Sequence, residues 1–131
     1  MAKSRLTVCD GAFFEVLWGI ASGGGCQARD YYESLEEADR AKALALFKRM
    51  ADVGKIYDKT KFKKETAKLY AFKPQPHRFF CFFVKGKRIF IVSAYQKQGE
   101  KTPLQEIRRA ENLRIECMKR IAQKEEENGK K

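Results

Sequence analysis

Apolar positions along this chain follow two periodicities, and the change between them outlines most of the architecture. Residues 12–19 (AFFEVLWG) are dominated by aromatic and branched side chains and read as a first strand. Gly23, Gly24 and Gly25 then interrupt regular structure and read as a connector, because the lysine that a GxxxxGK[ST] phosphate loop requires is missing. Beyond them the spacing becomes helical, predicting helices over about 27–35 and 36–53. Ser34 and Glu37 stand at the separation of a capping box for the second helix. Ala43, Leu46, Phe47, Met50 and Val53 form an apolar stripe for packing on a sheet, and Gly54 is a C-terminal stop.

The second half returns to strand patterning. Residues 55–68 (KIYDKTKFKKETAK) make a basic, weakly patterned connection, and 68–73 read as the next strand. Pro74 and Pro76 limit ladder pairing and set a turn. Residues 77–84 are a nearly continuous aromatic run, as in a central strand covered on both faces. Lys85 and Gly86 fit a tight hairpin turn into a last strand over 88–95. Thr102, Pro103 and Gln105 then open a helix, with Thr as the cap, Pro in the first position and Gln completing the box. Ile107, Ala110, Leu113, Cys117 and Ile121 give that helix an apolar side, and from about Gln123 the chain is polar and expected to fray. The predicted order is β-α-α-β-β-β-α. That is an α+β fold with a small, antiparallel-dominated sheet and helices packed on one face, in one domain over residues 1–131.

Charge changes this picture by singling out the middle of the chain. Between Lys55 and Lys101, 13 Lys and Arg residues face three acids (Asp58, Glu65 and Glu100), so the segment holds +10 of a net +11. A basic surface confined to a small sheet points to a polyanionic ligand, with RNA the first candidate. No apolar run approaches the ~20 residues of a membrane span. The N-terminal MAKSRLTVCDG has no apolar core of a secretory signal, so a cytoplasmic protein is expected. Cys9, Cys26, Cys81 and Cys117 are scattered, form no CxxC pair and read as buried, reduced thiols. With His77 the sole histidine, neither a metal site nor a cofactor is expected.

With that element order, the chain from Leu69 onward resembles the RelE/HigB superfamily of bacterial toxins, and within it the phage-derived HigB-like branch. The family pattern is close to "LYELR … YRVFYFF … IVLLHGFVKKTQKTP..EI..A..R". It is matched here by LYAFK (69–73), HRFFCFF (77–83), IFIVSAYQKQGEKTP (89–103) and EIRRAENLR (106–114). The resemblance implies a RelE-like fold and a small ribonuclease toxin, many of whose relatives cut messenger RNA on the translating ribosome. It also implies an antitoxin partner, in this branch often a helix-turn-helix protein. The chain departs from the pattern at Ala71 (a family Glu), Lys73 (a family Arg), His77 (a common Tyr) and Gln98 after Lys97. Lysine at 73 keeps the charge but loses the bidentate fork.

Cleaving RNA through its own 2′-hydroxyl needs a proton acceptor, a stabiliser of phosphorane charge and a proton donor for the leaving 5′ oxygen. Lys, Arg and Tyr can supply all three without a metal. Arg78 is the first candidate for holding the phosphate, its alternative being a salt-bridged or snorkelling structural arginine. Lys97 is the candidate charge stabiliser or acid/base, or else a plain surface lysine. Tyr95 can stack on a base, donate a proton or simply pack. His77 is a candidate acid/base because histidine is the residue type suited to proton transfer near neutral pH, yet a lone histidine beside a proline turn is more often structural. Lys73 and Lys101 are candidate phosphate contacts, and Lys61, Lys63 and Lys64 candidates for non-specific attraction to an RNA backbone. Two other readings stay open: a non-catalytic RNA-binding module, and a basic interaction protein with an acidic partner.

Overall fold

Side-chain alternation along the aromatic strands decides the layering. In the computed structural model, which describes residues 5–129, the elements are β1 (Thr7–Asp10), β2 (Glu15–Trp18), α1 (Gln27–Ser34), α2 (Glu37–Val53), β3 (Phe62–Lys64), β4 (Tyr70–Phe72), β5 (His77–Val84), β6 (Arg88–Gln96) and α3 (Leu104–Gly129). One six-stranded sheet runs in the order β1-β2-β6-β5-β4-β3. Every neighbouring pair is antiparallel except β2 with β6, which is parallel. The α+β class and the antiparallel-dominated sheet therefore stand as expected. Two strands are additional: β1 and β3 extend the sheet at its two edges. Both are short and carry polar residues, so neither shows the aromatic pattern of the centre.

The helices do not share one face. Val16, Trp18, Phe79, Cys81, Ile89 and Ile91 pack with Ala43, Phe47 and Met50 of α2 and Ala28 of α1. The alternate residues Leu17, Phe82, Phe90 and Val92 pack with Cys117, and Phe80 and Tyr95 with Ala110, both on α3. Successive strand residues point to opposite faces, so α1 and α2 cover one side of the sheet and α3 the other. The expectation of a single helical layer is corrected accordingly, and the continuous aromatic run of β5 is its cause: both of its faces are buried. On the α1/α2 side Phe47 makes edge contacts with Trp18, Phe72 and Phe79 at centroid distances of 6.2, 4.9 and 5.4 Å. Each such pair contributes about 0.5–1.5 kcal/mol beyond the area it buries.

Local details differ from the sequence reading at three helix ends. Ser34 is still the last residue of α1 and its Oγ donates to the Tyr31 carbonyl, so Glu36 stands at the N-cap of α2 without a side-chain cap. The Pro103 carbonyl accepts the first α3 N–H bonds, from Glu106 and Ile107, which shifts the cap from Thr102 to Pro103. Helix α3 runs on past Gln123 to Gly129 as an exposed helix, and positions 130 and 131 of the expected frayed tail lie outside the described residues. Gly54 closes α2 in the left-handed region, φ +84°, as its position foretold. The β5–β6 hairpin turns through Gly86 (φ 87°) and Lys87 (φ 57°).

Where β2 leaves the sheet, a side chain takes its place. The Ala94 backbone finds no strand on that side, and the Gln27 amide supplies both bonds: Nε2 donates to the Ala94 carbonyl (3.0 Å) and Oε1 accepts its N–H (2.7 Å). This lets β6 continue beyond β2 and carry Tyr95 to the end of the sheet. Among the described residues no helix is long and apolar enough to cross a membrane.

Candidate functional site

Three adjacent strands end in one basic corner. Arg78 on β5 is paired directly across from Tyr95 on β6. Lys73 follows β4, whose Phe72 pairs with Phe79, and Lys97 follows β6 with its N–H bonded to the Pro76 carbonyl (2.8 Å). Lys63 sits on β3 opposite Ala71. Alternation places all of these on the α3 face, at the corner beyond the first turn of α3. There they line a depression of about 300 Å³ with Glu65 and the 100–102 loop, which brings Glu100, Lys101 and Thr102. An adjoining depression of about 260 Å³ shares Lys63, Lys73, Arg78 and Lys97 and adds Lys59, Thr60 and Gln75.

Arg78 is the least expected member energetically. It is 4% exposed. Its Nη1 donates to Gln75 Oε1 (3.2 Å) and to the His77 carbonyl (3.0 Å), both neutral. Among the described residues it forms no ion pair. Burial pushes its pKa down, with Tyr95 and the Glu65 carboxylate acting the other way. A guanidinium stays protonated even so, so the corner holds a buried charge that no carboxylate directly neutralises.

Lys73 is constrained more fully. Its Nζ lies 4.0 Å from Glu65 Oε1 and donates to the Lys59 carbonyl at 3.3 Å. Burial lowers its pKa; Glu65 opposes that, and Arg78, Lys63 and Lys97 add to it. The Tyr95 ring stacks on Phe80 (5.8 Å, 18° between planes), which fixes its position at the floor. Burial raises the Tyr95 pKa, partly offset by a hydrogen bond from Thr102 and by Arg78. The phenol is thus held in its protonated, donating form.

The structure brings together Arg78, Tyr95, Lys97, Lys73, Lys101 and Lys63, and leaves three candidates elsewhere. His77 points to the opposite face, where Nδ1 lies 2.6 Å from the Tyr31 hydroxyl and Nε2 3.1 Å from Asp39 Oδ2. It ties β5 to α1 and α2. Lys64 lies over the Tyr70 ring at 5.9 Å, also away from the groove, and Lys61 is exposed outside the residues lining either depression.

Reading by charge alone missed Glu65, Glu100, Lys59, Thr60, Gln75 and Thr102. Glu65 is the most consequential of these, a carboxylate 12% exposed within a cation cluster. Its one visible signal was its rarity, since it is one of three acids in a segment of +10. Among the described residues no three His, Cys, Asp or Glu side chains gather as metal ligands. A more apolar groove of about 260 Å³ lies along the C-terminal half of α3, lined by Leu17, Phe90, Cys117 and Ile121 with Arg120 and Lys124 at its rim. It contains no phenol, and its carboxylate, Glu125, is ion-paired with Arg88 at 3.0 Å.

Residues 30–114 match the family described as phage derived protein Gp49-like (DUF891), a span that runs from the middle of α1 to the middle of α3 and includes every residue of the basic groove. No curated protein matches the chain. The six-stranded mixed sheet, the helical C-terminus and this match agree with one another. The chain accordingly belongs to the Gp49-like family, a phage-derived, RelE-like family associated with toxin–antitoxin systems.

Proposed function

We propose that this chain is the toxin of a toxin–antitoxin pair of the HigB-like branch, a metal-independent endoribonuclease that cuts messenger RNA on translating ribosomes in the cytoplasm. The observation that carries the reading is Arg78, a buried guanidinium without a carboxylate partner at the mouth of a groove lined by four lysines besides. Burying an unpaired charge costs several kcal/mol, and an arriving phosphate offsets that cost by supplying the missing anion. The family's association with toxin–antitoxin systems supports the same conclusion and implies an antitoxin that silences the protein.

In this scheme the 2′-oxygen attacks the adjacent phosphorus, its proton passing to the Glu65 carboxylate. Arg78 and Lys97 hold the non-bridging oxygens as charge develops on them, and Lys73 and Lys101 hold the strand. The bond from phosphorus to the 5′ oxygen then breaks, and the Tyr95 hydroxyl protonates the leaving oxygen. The products are a 2′,3′-cyclic phosphate and a free 5′-hydroxyl. His77 acts only by anchoring the strand that carries Arg78.

Tightly controlled expression tests this. Induction should arrest growth and produce new message ends in primer extension, while Arg78→Ala with Lys97→Ala, or Glu65→Gln alone, should relieve both. A double variant as toxic as the wild type would show the site to be wrongly assigned. Salt-sensitive RNA binding without new message ends, even with ribosomes supplied, would favour the non-catalytic binding module instead.

A further inference from the structure

The basic groove is longer than one phosphate requires. Lys63, Lys73, Arg78 and Lys97 form a wall common to both depressions, while Lys101 lines only the first and Lys59 only the second. Across the pair, six cations face two carboxylates, a net +4. Both carboxylates, Glu65 and Glu100, line the first depression; among the described residues the second is lined by none. A single phosphodiester carries one negative charge, so it would leave most of that positive charge crowded and uncompensated in a partly desolvated space.

The second depression is also built rather than incidental. Gln75 Oε1 accepts from Arg78, and its Nε2 donates to the Thr60 carbonyl at 3.4 Å. Thr60 is pinned by Asp58, whose Oδ1 accepts from its N–H at 2.9 Å and from its hydroxyl at 2.6 Å. The Lys59 carbonyl receives Lys73 Nζ. These bonds occupy the neutral polar groups and Lys73, which leaves the Lys59, Lys63 and Lys97 ammonium groups as the recognition elements facing this space.

We propose that the second depression is a phosphate subsite, and that the ligand is a single strand whose two consecutive phosphodiesters sit one in each depression. The shortest strand that fills the groove is then a trinucleotide. This deepens the RNA-site reading above and rests on it. Lys59 becomes the residue that distinguishes one phosphate from two.

The test uses 2′-O-methyl di- and trinucleotides without terminal phosphates, which cannot be cut through the 2′-oxygen, bound to the full chain over a salt series. Each phosphate neutralised on a single strand adds about 0.7 to the slope of log K against log salt. The trinucleotide should show a slope larger than the dinucleotide by about that amount. Lys59→Ala should abolish the increment and weaken the trinucleotide while leaving the dinucleotide unchanged. Equal slopes for the two lengths, or an equal loss for both in Lys59→Ala, would overturn the two-phosphate subsite with the RNA site intact. If neither oligonucleotide binds even at low salt, the RNA-site reading itself fails, and the subsite with it.

Discussion

Replacing Arg78 with methionine should leave the fold about as stable as before while removing most of its hold on polyanions. The guanidinium is 4% exposed and donates to two neutral acceptors, Gln75 Oε1 and the His77 carbonyl. Its burial costs several kcal/mol, and two charge-assisted hydrogen bonds return about 1.5–3 kcal/mol each. These nearly cancel. A methionine of comparable length gives up both, so stability should move by no more than about 1 kcal/mol, a few degrees in Tm. An arginine serving as scaffold in a paired network would instead cost about 3–5 kcal/mol on removal. Thermal melts with and without single-stranded RNA separate the cases. Ligand at 100 times its Kd adds about 2.7 kcal/mol to a protein that binds only when folded; the wild type should gain this and Arg78→Met should lose most of it. A variant destabilised by about 3 kcal/mol or more that keeps the full RNA-induced gain would refute the reasoning, because Arg78 would then be scaffold.

Three further outcomes follow from the same geometry. Gln27→Leu strands the buried N–H of Ala94, whose carbonyl keeps the Arg109 guanidinium as a donor at 3.1 Å, and at about 1–3 kcal/mol for the orphaned group it should lower the urea midpoint more than an exposed glutamine change such as Gln98→Leu. His77→Leu should lower stability by about 1–3 kcal/mol through loss of its Tyr31 and Asp39 bonds yet leave single-turnover cleavage by the folded fraction unchanged; a collapsed rate in an intact fold would put His77 in the chemistry. Burial raises the Cys9 thiol to about 11 and the Cys117 thiol to about 12 from the ordinary 9.0, and the Cys26 and Cys81 thiols also upward. The folded chain thus keeps protons that the unfolded chain releases, so this stability is complete below pH 9 and is lost as pH climbs toward the folded values. Urea melts across that range should show the fall, and Cys117→Ala should flatten it; an unchanged slope would assign the fall to other groups.

Much of the sheet was legible because its centre is aromatic. β5 and β6 announce themselves through Phe79, Phe80, Phe82, Phe90 and the glycine turn between them. The edges were not legible: β1 reads TVCD and β3 reads FKK, segments too short and polar to stand out from loops. The layering was hidden by the feature that made β5 obvious. A strand buried on both faces loses its period-2 signal, so nothing in HRFFCFFV says that Phe80 meets α3 while Phe79 meets α2. At β6 the register shifts between Phe80 and Cys81 as well, so Val92 and Ser93 break simple alternation.

The basic cluster was legible as charge and only partly as place. Lys73, Arg78, Tyr95, Lys97 and Lys101 meet because strand ends converge, a property that charge clustering tracks. Period 2 separates neighbours as easily as it gathers distant residues, and it sends His77 to the face opposite Arg78. Glu65 escaped notice because acids in a basic run count against the pattern. Its place in the groove appears only when its carboxylate is seen 4.0 Å from Lys73.

The most direct test of the central claim is the chemistry of a cut message. Ribosome-loaded RNA should be cleaved by the purified chain in EDTA, leaving a 2′,3′-cyclic phosphate and a 5′-hydroxyl, and a single 2′-deoxy substitution at the scissile nucleotide should abolish the cut. Failure to cleave, or cleavage that needs a divalent metal and leaves a 3′-hydroxyl with a 5′-phosphate, would contradict it.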